Sequence, residues 1–180
     1  MSTAGLACDV LGASFPATAF KAIAAAIGPI LSTYTAVLIA DTAVPAWHEA
    51  RNSMPALFAA GSAMSGAGAG LLFGPARGKM CGNLAVIAVV GEMIALRRLH
   101  AELGPKLQTA YKRDRAKPLM GWARRLAIAG ALLSRGNGAV ARRAAGACLL
   151  ASACMERFAV MEAGRISAKD PSYVLAQQTP

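Results

Sequence analysis

Uncharged apolar runs separated by short basic segments dominate the chain. Residues 22–40 lie between Lys21 and Asp41, and residues 52–76 between Arg51 and Arg77. Residues 80–96 contain Glu92 as their one charge and end at Arg97-Arg98. About 20 apolar residues cross the hydrocarbon layer as a helix. The pattern therefore predicts three spans within 21–45, 55–75 and 80–98. Gly28-Pro29 predicts a kink in the first, because Pro29 has no N–H for the carbonyl four residues back. Shorter apolar stretches at 126–133 and 144–155 flank the breaker Arg135-Gly136-Asn137-Gly138. They predict a helical hairpin over 119–134 and 139–161, whose members either span or tuck against the other helices. Residues 1–20 hold Asp9 and Pro16 and no basic residue, which predicts a loop or interfacial segment and argues against a signal peptide. The basic stretch 97–117 predicts a solvated or headgroup-facing loop, and 164–180 a polar surface tail. The predicted fold is all-α: a polytopic transmembrane bundle of about five helices forming one membrane domain.

Composition sharpens this picture. Hydrophobic residues are 56% of the chain but aromatics only 6%, with a mean hydropathy of +0.44. Much of the apolar content is Ala and Gly, which lets helices approach closely in lipid. Ser62, Gly66 and Gly70 form a small-xxx-small ladder expected to pack one helix face. The glycine-rich run 66–70 has no preceding strand, Lys-Ser/Thr or acidic partner, so a phosphate-binding loop is disfavoured.

The net charge is +10 and the pI about 10.1, but no basic stripe interleaved with aromatics points to nucleic acid. The cations fall between apolar blocks, as in loops held on the cytoplasmic side. With five crossings, the side holding Arg51, the 97–117 stretch, Arg124-Arg125 and the tail carries most of them. That side is expected to be cytoplasmic, with the C-terminus inside, in a multi-pass protein of the cell membrane. Cys8, Cys81, Cys148 and Cys154 form no CxxC and have no His at metal spacing, so they read as packing residues and no metal site is expected.

Candidate chemistry collects where the first apolar run meets water. Tyr34, Asp41 and His48 are spaced to share a face if a helix runs on past Pro45, which would free backbone polarity at Asp41. Asp41, His48 and Glu49 could then pass protons or bind a polar ring head. On the other reading, Asp41 pairs with a basic loop, Trp47 anchors the interface, and His48-Glu49 with Arg51 form a solvated turn. Tyr34 could donate to a ligand carbonyl or, like Ser32, Thr33 and Thr35, satisfy helix backbone. Glu92 either serves a proton path or pairs with Arg97, Arg98 or another helix. Glu156-Arg157 reads as a local or interhelical ion pair at a helix end. No catalytic residue is expected.

Three segments carry a family resemblance. They are Gly28-Pro29 with Ser32-Thr33-Tyr34-Thr35, the run Ala40-Asp41-Thr42-Ala43-Val44-Pro45-Ala46-Trp47-His48-Glu49-Ala50-Arg51, and the C-terminal Ser152-Ala153-Cys154-Met155-Glu156-Arg157 with Lys169-Asp170-Pro171-Ser172-Tyr173. In this order they resemble the NrfD/PsrC family, the polysulfide-reductase-type membrane subunits of respiratory oxidoreductases. The resemblance implies a quinone-reactive anchor beside an iron–sulfur electron-transfer subunit and a molybdopterin catalytic subunit. Its exchangeable ligand would be menaquinone or ubiquinone, with no cofactor held covalently or by a metal motif. Full members carry an N-terminal helix bundle that builds most of the quinone pocket. The chain resembles the C-terminal half alone, so it is expected to be a fragment or to pair with another chain. The competing readings are a non-redox membrane scaffold derived from that family, and a permease suggested only by Asp41 and Glu92.

Overall fold

The computed structural model describes residues 27–28, 30–74 and 78–173. The expected interfacial segment 1–20, the start of the first predicted span, the Pro29 kink and the end of the tail lie outside the described residues. The helices are α1 (Ile30–Ala40), α2 (Pro45–His48), α3 (Met54–Phe73), α4 (Gly78–Tyr111), α5 (Ala116–Leu133) and α6 (Ala139–Lys169). No strand occurs among the described residues.

Three helices are long and apolar enough to cross a membrane: Met54–Phe73, Lys79–Tyr111 and Ala139–Lys169. Their packing distributes side chains in the manner lipid favours. The buried faces are rich in small residues such as Ala67, Ala85, Ala88, Ala145 and Ala153. The outward faces carry large apolar ones. On α4, Met80, Leu84, Ile87, Val90 and Ile94 recur at helical spacing, and Ile87 is 68% exposed. So long an exposed aliphatic stripe marks a surface that expects an apolar solvent or partner.

Three expectations need correction. The first predicted span ends at Ala40, short of residue 45, and its start lies outside the described residues; along α1, Ile30, Leu31, Val37 and Leu38 are exposed while Ala36 and Ala40 are buried. The stretch 97–117 is no loop, for α4 continues to Tyr111. Leu96, Leu99, Leu103, Leu107 and Ala110 are all buried, an apolar stripe that holds the basic segment helical. The helix is broken once, at Gly104, whose φ of 63° belongs to the left-handed region that glycine enters without strain. Pro105 follows and cannot donate to the carbonyl four residues back. Across the break, the Gln108 side-chain amide donates to the His100 carbonyl at 2.6 Å.

The third correction concerns the tail. Residues 164–169 are the last turns of α6, with Gly164 and Ser167 buried. Beyond it, Asp170 accepts from the Ser172 N–H at 3.0 Å and meets Arg113 at 3.5 Å. The buried Tyr173 hydroxyl lies 2.8 Å from the Thr109 hydroxyl. The Ser172 hydrogen bonds, then Arg113, hold the Asp170 carboxyl below the ordinary carboxylate range. A depressed value means its contribution is present at neutral pH and lost as pH falls through the carboxyl's own titration. Acidification from about pH 6 to pH 3 is therefore expected to loosen the tail, read by the Tyr173 ring signals in NMR. In Asp170→Asn that response should disappear.

Two apolar clusters stack along the helices. One joins α2, the start of α3, the second half of α4, the end of α6 and Tyr173. The other joins the end of α3, the first half of α4, the middle of α5 and the start of α6. Met93 touches both. Capping links the elements: Glu102 of α4 accepts the Ser53 N–H at the start of α3 at 3.2 Å, a carboxylate at the positive end of a helix dipole.

Candidate functional site

The seam between the two clusters is polar. On α3 it falls between Phe58 and Met64, on α4 between Val89 and Ala95, and on α6 between Ala153 and Val160. Glu92 and Glu156 occupy it, both with no solvent exposure. Arg157 joins them from the same turn of α6, its Nη1 donating to Glu156 Oε1 at 3.3 Å. Its Nη2 donates to the Phe58 carbonyl at 2.9 Å, and its guanidinium sits 3.8 Å from the Phe58 ring centre. Gly61 makes room for it: a Cβ there would lie 2.8 Å from Arg157 Nη2 and 3.4 Å from Glu156 Oε2. Glu92 is near enough to interact with both Glu156 and Arg157.

The hydrogen bonding of this cluster is incomplete. With both carboxyls ionised, the two Glu92 oxygens and Glu156 Oε2 are buried without a donor, although the carboxyls lie close enough to share a hydrogen bond through one proton. Unpaired buried carboxyl oxygens are costly, so they mark a place where a proton, water or ligand completes the set. Glu92 thus takes the interhelical option among its expected partners and meets neither Arg97 nor Arg98. Glu156-Arg157 lies well inside α6, not at a helix end as expected.

The exit motif is arranged differently from its sequence reading. α1 ends at Ala40 and residues 41–44 turn, so no single helix carries Tyr34, Asp41 and His48 on one face. Pro45 opens α2, a position where its missing N–H costs nothing. Tyr34 and Asp41 are exposed, while His48 and Glu49 are half-buried. Arg51 Nη1 donates to His48 Nε2 at 3.3 Å, a local contact of the solvated-turn kind. Trp47 has a packing role: its indole N–H donates to the Val160 carbonyl at 3.0 Å and the ring fills the space over Gly164. The adjacent Ala46 N–H donates to Ser167 Oγ at 3.3 Å, so the motif is docked on α6.

The glycine ladder is also redistributed. Gly66 is exposed with open space where a Cβ would be, and Gly70 faces Cys81. The close helix approach instead uses Gly68 against Gly146.

Sequence reasoning overlooked Tyr111, which is buried with an unpartnered hydroxyl. Its ring lies 6.0 Å from that of His100, centre to centre. The signal was its place on the Leu96–Leu107 stripe. Beside Tyr111, a groove of about 1070 Å³ opens between α4 and α5. Among the described residues, no three His, Cys, Asp or Glu side chains come together to hold a metal ion. Comparison of the chain with protein-family models, curated proteins and solved structures finds no match.

Proposed function

We propose that this chain is a multi-pass subunit, or part of one, in a quinone-linked respiratory complex of the cell membrane, and that its own contribution lies on the proton side. The observation that carries the reading is the Glu92–Glu156–Arg157 cluster between helices long and apolar enough to span. Ionisable groups at such depth are expensive and persist where they move protons or charge. Two carboxyls and one guanidinium sum to one negative charge when all are ionised, so the cluster is neutral with one bound proton. Glu92 and Glu156, close enough to share a hydrogen bond, are the groups that could take and release it. The resemblance of the exit and C-terminal segments to NrfD/PsrC subunits supplies the quinone, iron–sulfur and molybdopterin partners.

The α4–α5 groove is rimmed by cations, which suits an anion better than an uncharged ring. On this reading the ring is held by helices outside this chain.

The test is isolation of the assembled complex from its native membrane, followed by menaquinol titration. Menaquinol-dependent reduction of a co-purifying iron–sulfur subunit is the expected result. Glu92→Gln should slow it at least about tenfold while leaving assembly intact, since a positioned proton carrier contributes that much or more. The same measurement on Asp41→Asn tests whether the exit carboxylate also takes part. A complex without iron–sulfur partner or menaquinol response would leave the second reading, a scaffold. The interhelical bonds of Arg157 favour that reading, because they tie α6 to α3 whatever Glu92 does.

A further inference from the structure

The groove between α4 and α5 has the composition of a receptor for an anionic amphiphile. Arg97, Lys112, Lys117, Arg124 and Arg125 line it, all exposed. None of the five forms an ion pair with a carboxylate among the described residues. Lys112 makes only a 3.4 Å contact with the Gln108 amide oxygen. Like charges gathered without counter-charge repel one another, and an anion relieves that cost.

The remaining wall is apolar, from Met93, Leu96 and Ile128. Trp122 stands at the edge with the Arg125 guanidinium 5.4 Å from its ring centre. Tyr111 also lines the groove, and its hydroxyl is buried without a partner. Beside it, His100 Nδ1 lies 2.7 Å from the Leu96 carbonyl. The carbonyl can only accept, so Nδ1 carries the proton and Nε2 is left for another partner.

The position along the helices is equally informative. The apolar run of α4 ends at Arg97, and the cationic side chains begin there. That is the level where hydrocarbon gives way to headgroups. Trp at such a boundary and arginines reaching outward are the usual interfacial pair.

We infer that this groove binds the phosphate headgroup of an anionic phospholipid, its acyl chains lying along Met93, Leu96 and Ile128. The five cations supply the phosphate charge complement, and Tyr111 donates to a headgroup oxygen. Basic pockets between transmembrane helices are suited to such headgroups. The inference rests on the membrane placement proposed above, but not on quinone chemistry.

The test uses the full chain purified in a neutral detergent, with thermal unfolding and native mass spectrometry as readouts. Phosphatidylglycerol in mixed micelles is expected to raise the melting temperature and to leave bound-lipid adducts, while phosphatidylcholine does neither. Arg124→Gln/Arg125→Gln should weaken phosphatidylglycerol binding at least about tenfold, and Tyr111→Phe by a smaller factor. Arg142→Gln/Arg143→Gln, which removes the same charge outside this groove, should leave it unchanged. If the Arg124/Arg125 variant does not fold, Lys112→Gln/Lys117→Gln, where α4 turns into α5, serves instead. Equal stabilisation by phosphatidylcholine, or binding unaffected by either pair, would overturn the inference. So would full stabilisation by inorganic phosphate alone, which would assign the groove to a soluble anion. A chain recovered in the aqueous fraction without detergent would refute the membrane placement itself. A detergent-requiring chain indifferent to phosphatidylglycerol would refute the lipid site alone.

Discussion

Arg157→Ala is expected to lower the unfolding free energy by about 3 kcal/mol, the cost of removing one partner from a buried ion pair. The loss has two parts. Glu156, with no solvent exposure, is left beside Glu92 without its cation. The Phe58 carbonyl loses the donor that ties α3 to α6. The side chain of Arg157 is itself partly exposed, 31% of its surface, which places the value at the low end of the range for buried pairs. Arg157→Lys should recover only part of the loss. An ammonium restores the charge, but it cannot donate from two directions to Glu156 and Phe58 or stack flat on the ring. Glu92→Gln is the informative contrast. It removes negative charge from a site with two carboxyls and one cation, so its effect on stability should stay below about 1.5 kcal/mol. Urea unfolding in neutral detergent, followed by circular dichroism, separates these outcomes. An Arg157→Ala change smaller than that of Glu92→Gln would show that the cluster is hydrated and does not lock the helices.

The second large effect belongs to the glycine contact between α3 and α6. A Cβ on Gly146 would stand 2.6 Å from the Gly68 carbonyl oxygen and 2.9 Å from the Leu72 nitrogen. These are backbone atoms of a helix interior and cannot rotate away, so the helices must separate. Gly146→Leu should cost at least about 3 kcal/mol, and Gly146→Ala about 1–2 kcal/mol even after the gain in helix propensity. Gly66→Ala supplies the control within the expected ladder. It is exposed and meets nothing within 4 Å, so alanine should stabilise by about 0.5–1 kcal/mol. Melting temperatures of the two alanine variants should move in opposite directions. If both fell, the ladder 62–66–70 would be the packed face after all.

These variants also separate two kinds of information in the chain. Hydropathy by itself determined that helices dominate the described residues and where most of them run, because a helix long enough for a bilayer must be built from consecutive apolar residues. Gly104-Pro105 breaks α4 for an equally local reason, since φ freedom and a missing N–H act on the nearest turn. The basic 97–111 segment misled because charge density suggested a loop, although its leucines recur at helical spacing and are buried. At the exit motif only the structure turned Trp47 inward against Gly164.

What tertiary structure alone decided is which side chains meet. Phe58, Glu92 and Glu156 come from three helices, and no spacing rule links residues so far apart in sequence. Gly66 and Gly68 look alike in a string of small residues, yet two positions on a helix is slightly more than a half-turn, so one faces outward and the other faces Gly146. The α4–α5 groove has the same origin: its cations are scattered over 97–125 and become one site only because α5 folds back along α4. Local sequence fixes the period and length of each helix; its rotation about its own axis is set by the neighbours it packs against.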